Sequence, residues 1–145
     1  MSINHLNEIF KIEKLSFNNP WTINNIKKDI LNNNKNENWV YIEQNKVVGY
    51  IFGLILIDEY HLNNIAVDPK YLRNKIGTKL ILHIISILKT KGIKFILLEV
   101  SSKNLVAQRC YKNLGFYSVG KRKNYYGKGD DAILYNLEIN NGRMV

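Results

Sequence analysis

Residues 94–100, which read Lys-Phe-Ile-Leu-Leu-Glu-Val, constrain the fold more than any other stretch of this chain. Apolar side chains occupy both sets of alternating positions, so a strand formed here is apolar on both of its faces. Such a strand is typical of the centre of a sheet that is covered on both sides. The chain has 145 residues, the size of one domain. We therefore expect a single domain over residues 1–145, with helices packed against a sheet.

The hydrophobic spacing along the rest of the chain predicts further helices and strands. Apolar residues at intervals of three and four indicate helices, and the longest of these is a helix that ends near Gly92. A first half rich in hairpins, followed by strand, helix and strand, predicts a mixed sheet with helices packed on it. The predicted order is helix 4–16, helix 23–31, strands 39–43, 46–57 and 60–67, a helix from 76 to near 92, strand 94–100, a helix that is capped by Ser102 or Asn104 and ends at 113, and strands 116–122 and 132–139.

Charge and cysteine content exclude some classes of site. Lys and Arg number 21 against 12 Asp and Glu, and the net charge of +9 favours anionic partners such as phosphates, nucleic acid or acidic protein surfaces. The excess of Lys, Asn, Ile and Tyr is also typical of an AT-rich genome, so we give the charge little weight. One cysteine, Cys110, and 3 scattered histidines provide neither an internal disulfide nor the spacing of a zinc site. We expect no metal.

Nothing in the sequence predicts a membrane or secretory destination. The longest uncharged apolar run, residues 47–57, is well short of the roughly 20 residues that span a bilayer, and it contains Gly49 and Gly53. The first residues have neither the basic start nor the apolar stretch of a signal peptide. The expected location is therefore cytoplasmic, with no membrane role.

The strand-to-helix connection within residues 64–80 has the elements of an anion site. A strand ends at Asp68-Pro69, a loop with Arg73, Lys75 and Gly77 follows, and the long helix begins. The N–H groups and the dipole at a helix N-terminus attract negative charge, and here cationic side chains lie beside them. An ordinary connection with solvated lysines has the same composition, so the residues alone leave both interpretations open.

Two side chains in the second half of the chain are suited to proton transfer. Strand periodicity places Glu99 on one face with Phe95 and Leu97, where a carboxylate requires an ion pair or a cleft. Tyr111 lies on the same helical face as Asn104, so one helix could contact one ligand twice. Each has a structural alternative, which is an ion pair for Glu99 and a core aromatic for Tyr111.

Short motifs along almost the whole chain carry a family resemblance. They are Asn-Asn-Pro-Trp-Thr at 18–22, Asn-Ile-Ala-Val-Asp-Pro at 64–69, Leu-Glu-Val at 98–100 followed by Asn104, Tyr-x-x-x-Gly-Phe at 111–116, Arg-Lys-Asn-Tyr-Tyr at 122–126 and Asp-Asp-Ala-Ile at 130–133. Together they resemble the GNAT acetyltransferases, and most closely the bacterial RimI type, which acetylates the α-amino group of a small-subunit ribosomal protein. The loop at 72–77 is similar to the family's acetyl-CoA motif, Arg/Gln-x-x-Gly-x-Gly/Ala, with Leu72 and Lys75 in its first two places and Gly77 in its third.

The resemblance implies a GNAT fold, in which a mixed, mostly antiparallel twisted sheet is flanked by helices. It implies acetyl transfer from acetyl-CoA to the N-terminal α-amine of a protein, with a ribosomal protein that begins with alanine as the expected acceptor. Glu99 is then the general base, and Tyr111 is the general acid that protonates the departing thiolate. The residues implied to bind acetyl-CoA are Ile65, Ala66, Val67, Arg73, Asn74, Lys75, Ile76, Gly77, Thr78 and Asn104.

Three aromatic residues are implied to bind the acceptor, namely Trp21, Tyr125 and Tyr126, although surface or core positions would equally suit them. Two other functions stay open. A related enzyme could use another amine, such as a lysine side chain, a polyamine or a small molecule. The second alternative is a non-enzymatic, basic nucleic-acid-binding module. Against it, the Lys and Arg residues are dispersed along the chain and no RNA-binding motif occurs. We expect no direct nucleic-acid role.

Overall fold

The structure is a computed structural model that describes residues 1–32 and 34–139. Short 3-10 turns at Ile3–His5 and Pro69–Tyr71 accompany the regular elements. In chain order these elements are α1 (Leu6–Ser16), α2 (Ile23–Leu31), β1 (Trp39–Glu43), β2 (Lys46–Leu56), β3 (Glu59–Val67), α3 (Ile76–Thr90), β4 (Phe95–Ser101), α4 (Leu105–Asn113), β5 (Tyr117–Gly127) and β6 (Asp130–Glu138).

The strands form a six-stranded sheet in the order β1-β2-β3-β4-β6-β5. Strands β3 and β4 pair in parallel, with Tyr60 opposite Ile96. The β1–β2, β4–β6 and β5–β6 pairs are antiparallel. The predicted mixed, mostly antiparallel sheet is therefore confirmed. The interior position of β4 agrees with the apolar character of both of its faces.

Two of the predicted boundaries that differ from the structure have a plain physical reason. The first helix begins at Leu6 and not at residue 4, because Ile3–His5 form a 3-10 turn with Ser2 at its N-cap position. Strand β5 continues to Gly127, whereas apolar alternation predicts an end at residue 122. All of its residues are exposed, and an edge strand in solvent needs no apolar face to continue its backbone pairing.

The residues separate into two compact units, of which the first contains residues 1–55 and 63–84. Thr22 caps α2 by accepting a hydrogen bond from the Asn25 N–H at 3.1 Å. Gly49 permits close packing, because a Cβ atom there would lie 3.1 Å from Ile76 Cγ2 and 3.2 Å from the Ala66 carbonyl oxygen. The buried core of this unit includes Ile9, Ile12, Ile26, Ile30, Val47, Tyr50, Phe52 and Ala66.

The second unit contains residues 56–62 and the described residues from 85 onward. On β4 the burial alternates, with Ile96, Leu98 and Val100 buried and Glu99 only half-buried. One face of this strand is thus fully covered, whereas the face that carries Glu99 is partly open. Other buried residues of the unit are Tyr60, Leu88, Ile93, Tyr111, Phe116, Ala132, Tyr135 and Ile139.

Candidate active site

The predicted site residues divide between the two units, and the loop residues belong to the first. The loop begins with a turn in which Asp68 accepts a hydrogen bond from the Lys70 N–H at 3.0 Å. The Asp68 N–H donates to the Val48 carbonyl at 2.8 Å, which ties the turn to β2. Preceding residues Ile65 and Val67 are half-buried, and Ala66 between them is buried. These contacts hold the end of β3 and the turn that follows it in place beside β2.

Lys75 precedes α3 in an unusual backbone conformation. Its carbonyl accepts the Lys79 N–H at 3.0 Å, and its φ is 58°, in the left-handed region. Arg73 also has a positive φ, of 76°. In this region a residue with a side chain is less stable than glycine by about 1 kcal/mol or more. The backbone of Lys75 is therefore one that glycine adopts more readily. Unlike Ser or Asp, a lysine at this position has no acceptor with which to cap the N–H groups of the helix.

The residues at the start of α3 fit an anionic ligand. The side chains of Arg73, Asn74 and Lys75 are exposed. A Cβ atom added to Gly77 would meet only Val67 Cγ2, at 3.9 Å, so the packing of the chain does not itself require glycine there. Backbone that is left uncovered beside cations and a helix N-terminus is the arrangement that binds phosphate groups. Ile76 is buried in the core and has little surface to present to a ligand, whereas Thr78 is half-buried.

Glu99 forms an ion pair in the second unit. Its Oε1 lies 3.2 Å from Nη2 of Arg122, and its side chain keeps 29% of its exposure while that of Arg122 keeps 55%. The structure therefore contains the ion pair that the sequence left open as an alternative. An ion pair that is partly open to solvent contributes about 0–1 kcal/mol, so this contact leaves Glu99 available for chemistry.

Tyr111 is buried, with 7% of its surface exposed, and its ring lies 5.5 Å from the ring of Phe116. Burial, followed by the charges of Cys110 and Tyr126, raises the pKa of Tyr111. The phenol therefore keeps its proton well above neutral pH, as a general acid must. Its packing also makes it a core aromatic, so the two interpretations of Tyr111 are compatible.

Tyr125 and Tyr126 lie in β5, and their rings are 5.0 Å apart at 82°. Burial raises the pKa of Tyr126, and the charges of Glu99, Tyr125 and Asp130 raise it further, whereas Arg122 lowers it. The Tyr126 phenol is thus close enough to both Glu99 and Tyr111 for their charges to interact, and we call these three residues with Arg122 the Glu99 cluster. Asn104 is the N-cap of α4, where its Oδ1 accepts the Ala107 N–H at 3.1 Å, and its amide nitrogen is not used in that cap.

Trp21, in the first unit, is held by a buried carboxylate that sequence analysis did not single out. The backbone N–H of Trp21 donates to Glu13 Oε2 at 2.9 Å, and the centroid of the indole ring lies 5.5 Å from that of the Phe52 ring. The hydroxyl of Tyr50 donates to Glu13 Oε1 at 2.5 Å, and Asn64 Nδ2 donates to the same oxygen at 2.7 Å. The sequence offered one indication that Glu13 is buried, because this residue directly follows the apolar residue Ile12 on the buried face of α1.

Arg122 is the second residue that the sequence did not assign to the site. It lies opposite Ala132 in the β5–β6 pairing, while Glu99 lies opposite Leu134 in the β4–β6 pairing. Ala132 and Leu134 are two residues apart on β6 and therefore point to the same face of the sheet. Since residues directly opposite each other also share a face, Arg122 and Glu99 lie on that same face. The sequence feature that could have identified Arg122 is its position as the first residue of the Arg-Lys-Asn-Tyr-Tyr motif.

The described part of the chain contains neither a cluster of metal ligands nor a membrane-spanning helix. Among residues 1–32 and 34–139, no group of three or more His, Cys, Asp or Glu side chains could hold a metal ion. No helix within the same residues is long and apolar enough to cross a membrane.

Comparison with known proteins decides the family. The model of the Acetyltransferase (GNAT) family matches residues 6–116. The chain belongs to this family. The [ribosomal protein bS18]-alanine N-acetyltransferase of Haemophilus ducreyi is 34% identical over 139 residues, which cover 92% of this chain and 93% of the relative.

Solved structures of GNAT proteins agree with the fold. The crystal structure of the ribosomal-protein-S18-alanine N-acetyltransferase from Escherichia coli has a TM-score of 0.89 and 29% identity, and the match covers 96% of this chain and 90% of the other. An aminoglycoside 6'-N-acetyltransferase complexed with coenzyme A has a TM-score of 0.83 and 16% identity, over 97% of this chain and 93% of the other. The second similarity shows the shared fold alone.

Proposed function

We propose that this GNAT protein transfers an acetyl group from acetyl-CoA to the N-terminal α-amino group of a small-subunit ribosomal protein that begins with alanine. The observation that carries the proposal is the 34% identity, over 92% of this chain, to a ribosomal protein bS18-alanine N-acetyltransferase. We further propose that residues 1–145 work as one acetyltransferase domain in the cytoplasm, without a metal and without a direct nucleic-acid role.

Proton transfer in this reaction is assigned to Glu99 and Tyr111. An α-ammonium has a pKa of about 7.7–8.0 and must lose a proton before its nitrogen can attack. Glu99 accepts that proton, directly or through water, and the nitrogen then bonds to the thioester carbonyl carbon. When the tetrahedral intermediate collapses, the carbon–sulfur bond breaks and Tyr111 donates its phenolic proton to the sulfur. The nitrogen, which still carries one proton too many, releases it to the Tyr111 phenolate directly or through water, so the product is a neutral amide and the phenol is restored. The half-buried carboxylate of Glu99 supports its role as the base, and the phenol of Tyr111 keeps its proton at neutral pH, which is the state that a proton donor requires.

Binding of acetyl-CoA is assigned to the loop and the strand before it. The backbone at residues 73–78 and the side chains of Arg73 and Lys75 bind the pyrophosphate, while Ile65, Ala66 and Val67 contact the pantetheine. The exposed cations and the uncovered backbone at Gly77 support this assignment. Asn104 assists through its amide nitrogen. Trp21, Tyr125 and Tyr126 bind the acceptor peptide, and the exposure of the two tyrosines supports their role.

The experiment that tests the proposal is mass spectrometry of acceptors incubated with the protein and acetyl-CoA. Two peptides form a matched pair, one with a free N-terminal alanine and an internal lysine, and one with the same sequence but a blocked N-terminus. Purified small-subunit ribosomal proteins are examined in parallel. We expect one acetyl group on the free α-amine and none on the blocked peptide. Acetylation of the lysine in both peptides would contradict the α-amine assignment and favour an enzyme of another amine.

A further inference from the structure

We propose that Arg122 is a positioning residue for the acetyl-transfer reaction, because it holds the Glu99 carboxylate in the orientation that accepts the proton of the acceptor amine. The inference rests on the proposed function, in which Glu99 is the base. Arg122 itself touches neither the acceptor nor acetyl-CoA in this account.

The geometry of the ion pair carries the inference. Nη2 of Arg122 lies 3.2 Å from Oε1 of Glu99, so one carboxylate oxygen is engaged. A carboxylate with one oxygen held has its plane and side-chain rotamer restricted, and the second oxygen, Oε2, becomes the acceptor for the amine proton. A base fixed in a near-attack geometry needs less reorganisation when the substrate arrives, and a misplacement of about 1 Å can cost about 10²-fold in rate.

The registers of the strands bring Arg122 within reach of Glu99. Strand β6 separates the strands that carry the two side chains, and Ala132 lies opposite Arg122 on that strand. Glu99 lies opposite Leu134, two residues further along β6, so the long side chain of Arg122 crosses β6 diagonally to reach the carboxylate. The contact therefore depends on the pairing of both outer strands with β6.

The arginine is itself held in place. Its guanidinium carbon lies 5.2 Å from the centroid of the Tyr125 ring, within the range of a cation–π interaction. A guanidinium does not lose its proton in proteins, so it remains a cation at every pH of an assay. Arg122 therefore links Tyr125 to Glu99 and keeps one orientation of the carboxylate before the acceptor arrives.

The test is a double-mutant cycle read by steady-state kinetics. We expect Arg122→Gln to lower kcat by about 10-fold to 10²-fold while KM for acetyl-CoA stays unchanged, and Arg122→Lys to restore part of the loss. In the Glu99→Gln background the same substitution should have almost no further effect, because Arg122 acts through Glu99. Lys123→Gln, which removes a neighbouring exposed cation, is the matched control and should keep wild-type kcat. Equal losses in both backgrounds, or an equal loss in the control, would overturn the inference.

A second readout does not depend on the acceptor. The tyrosine ring carbons are labelled with ¹³C, the Tyr126 signal is assigned with Tyr126→Phe, and its titration is followed by NMR. Because Arg122 lowers the pKa of Tyr126, Arg122→Gln should move this titration to higher pH, and Lys123→Gln should move it less. An unmoved titration would contradict the placement of the Arg122 guanidinium beside Tyr126 and Glu99, on which the inference rests, even if the proposed function holds. A moved titration in a protein that acetylates no N-terminus would overturn the proposed function and leave the Glu99 cluster in place.

Discussion

Glu13 in the first unit and Glu99 in the second are both carboxylates among apolar side chains, yet their surroundings differ. Glu13 is 1% exposed and accepts hydrogen bonds from Trp21, Tyr50 and Asn64. The Glu99 side chain is 29% exposed and pairs with Arg122. A buried carboxylate needs every hydrogen bond it has, whereas a half-exposed one that is held through one oxygen still has the other oxygen free to accept a proton. The comparison predicts that Glu13 serves stability and Glu99 serves activity.

The largest expected effect is that of Glu13→Ala on stability. The substitution leaves the Tyr50 hydroxyl and the Asn64 amide buried without their acceptor, at about 1–3 kcal/mol for each group, and it also removes the acceptor of the half-buried Trp21 backbone N–H. We expect the free energy of unfolding to fall by at least about 3 kcal/mol in a urea titration. Glu43→Ala, on an exposed position of β1, is the control and should change it by less than about 0.5 kcal/mol. A loss below about 1 kcal/mol for Glu13→Ala would remove the contrast between the two carboxylates.

Tyr111→Phe extends the comparison from carboxylates to phenols. Removal of the proton donor should lower kcat by about 10²-fold, while KM for acetyl-CoA changes little. The matched control is Tyr135→Phe, because Tyr135 is also buried in the second unit but donates to Gln108 Oε1 at 3.0 Å. If both variants lose the same activity in initial-rate assays, packing explains the loss and the general-acid role of Tyr111 is wrong.

The pH dependence of stability tests the hydrogen bonds of Glu13 through the titration of one donor, the Tyr50 hydroxyl. Burial, the hydrogen bond to Glu13 and the charge of Glu13 raise the pKa of Tyr50 above its ordinary value of 10.0. A raised folded-state pKa gives stability that is present below pH 10 and is lost as the pH rises above it, by at most about 1.4 kcal/mol per pH unit for each such tyrosine. Urea titrations from pH 8 to 11.5 should show this decline, and Tyr50→Phe should make it shallower. An equal slope in both proteins would contradict the account.

The smallest expected effect is that of Lys75→Gly in the loop of the first unit. Glycine relieves the left-handed strain, so stability should rise by up to about 1 kcal/mol and acetyl-CoA should bind as tightly as before or more tightly. Lys75→Ala removes the charge but keeps the strain, and thus separates the two contributions. Thermal shifts with and without acetyl-CoA measure both. A more than tenfold loss of affinity in Lys75→Gly would mean that the ammonium group, and not the backbone, holds the pyrophosphate.

The sequence predicted the elements whose apolar periodicity is local, such as α3 and β4. It ended β5 at residue 122 because the polar residues Lys123 and Asn124 interrupt the alternation, although an exposed edge strand tolerates them. The partners of Glu13 could not be predicted, since Tyr50 and Asn64 lie 37 and 51 residues away in the chain.

The contact between Arg122 and Glu99 was also beyond sequence reasoning. It depends on the registers of β5 and β4 against β6, which are set by pairing in three dimensions. The family motifs supplied the roles of Glu99 and Tyr111 but not the arginine that completes the cluster.

The central claim, that Glu99 takes the proton of the acceptor amine, is tested most directly by Glu99→Gln in single-turnover assays from pH 6 to 9.5. We expect the rate at pH 7 to fall by about 10²-fold or more, with part of it recovered as the pH passes the pKa of the amine near 8. The free energy of unfolding should change by less than about 1 kcal/mol, and Tyr111→Phe should show no such recovery. Full activity of Glu99→Gln, or a profile that matches Tyr111→Phe, would contradict the claim and leave Glu99 with the ion pair alone.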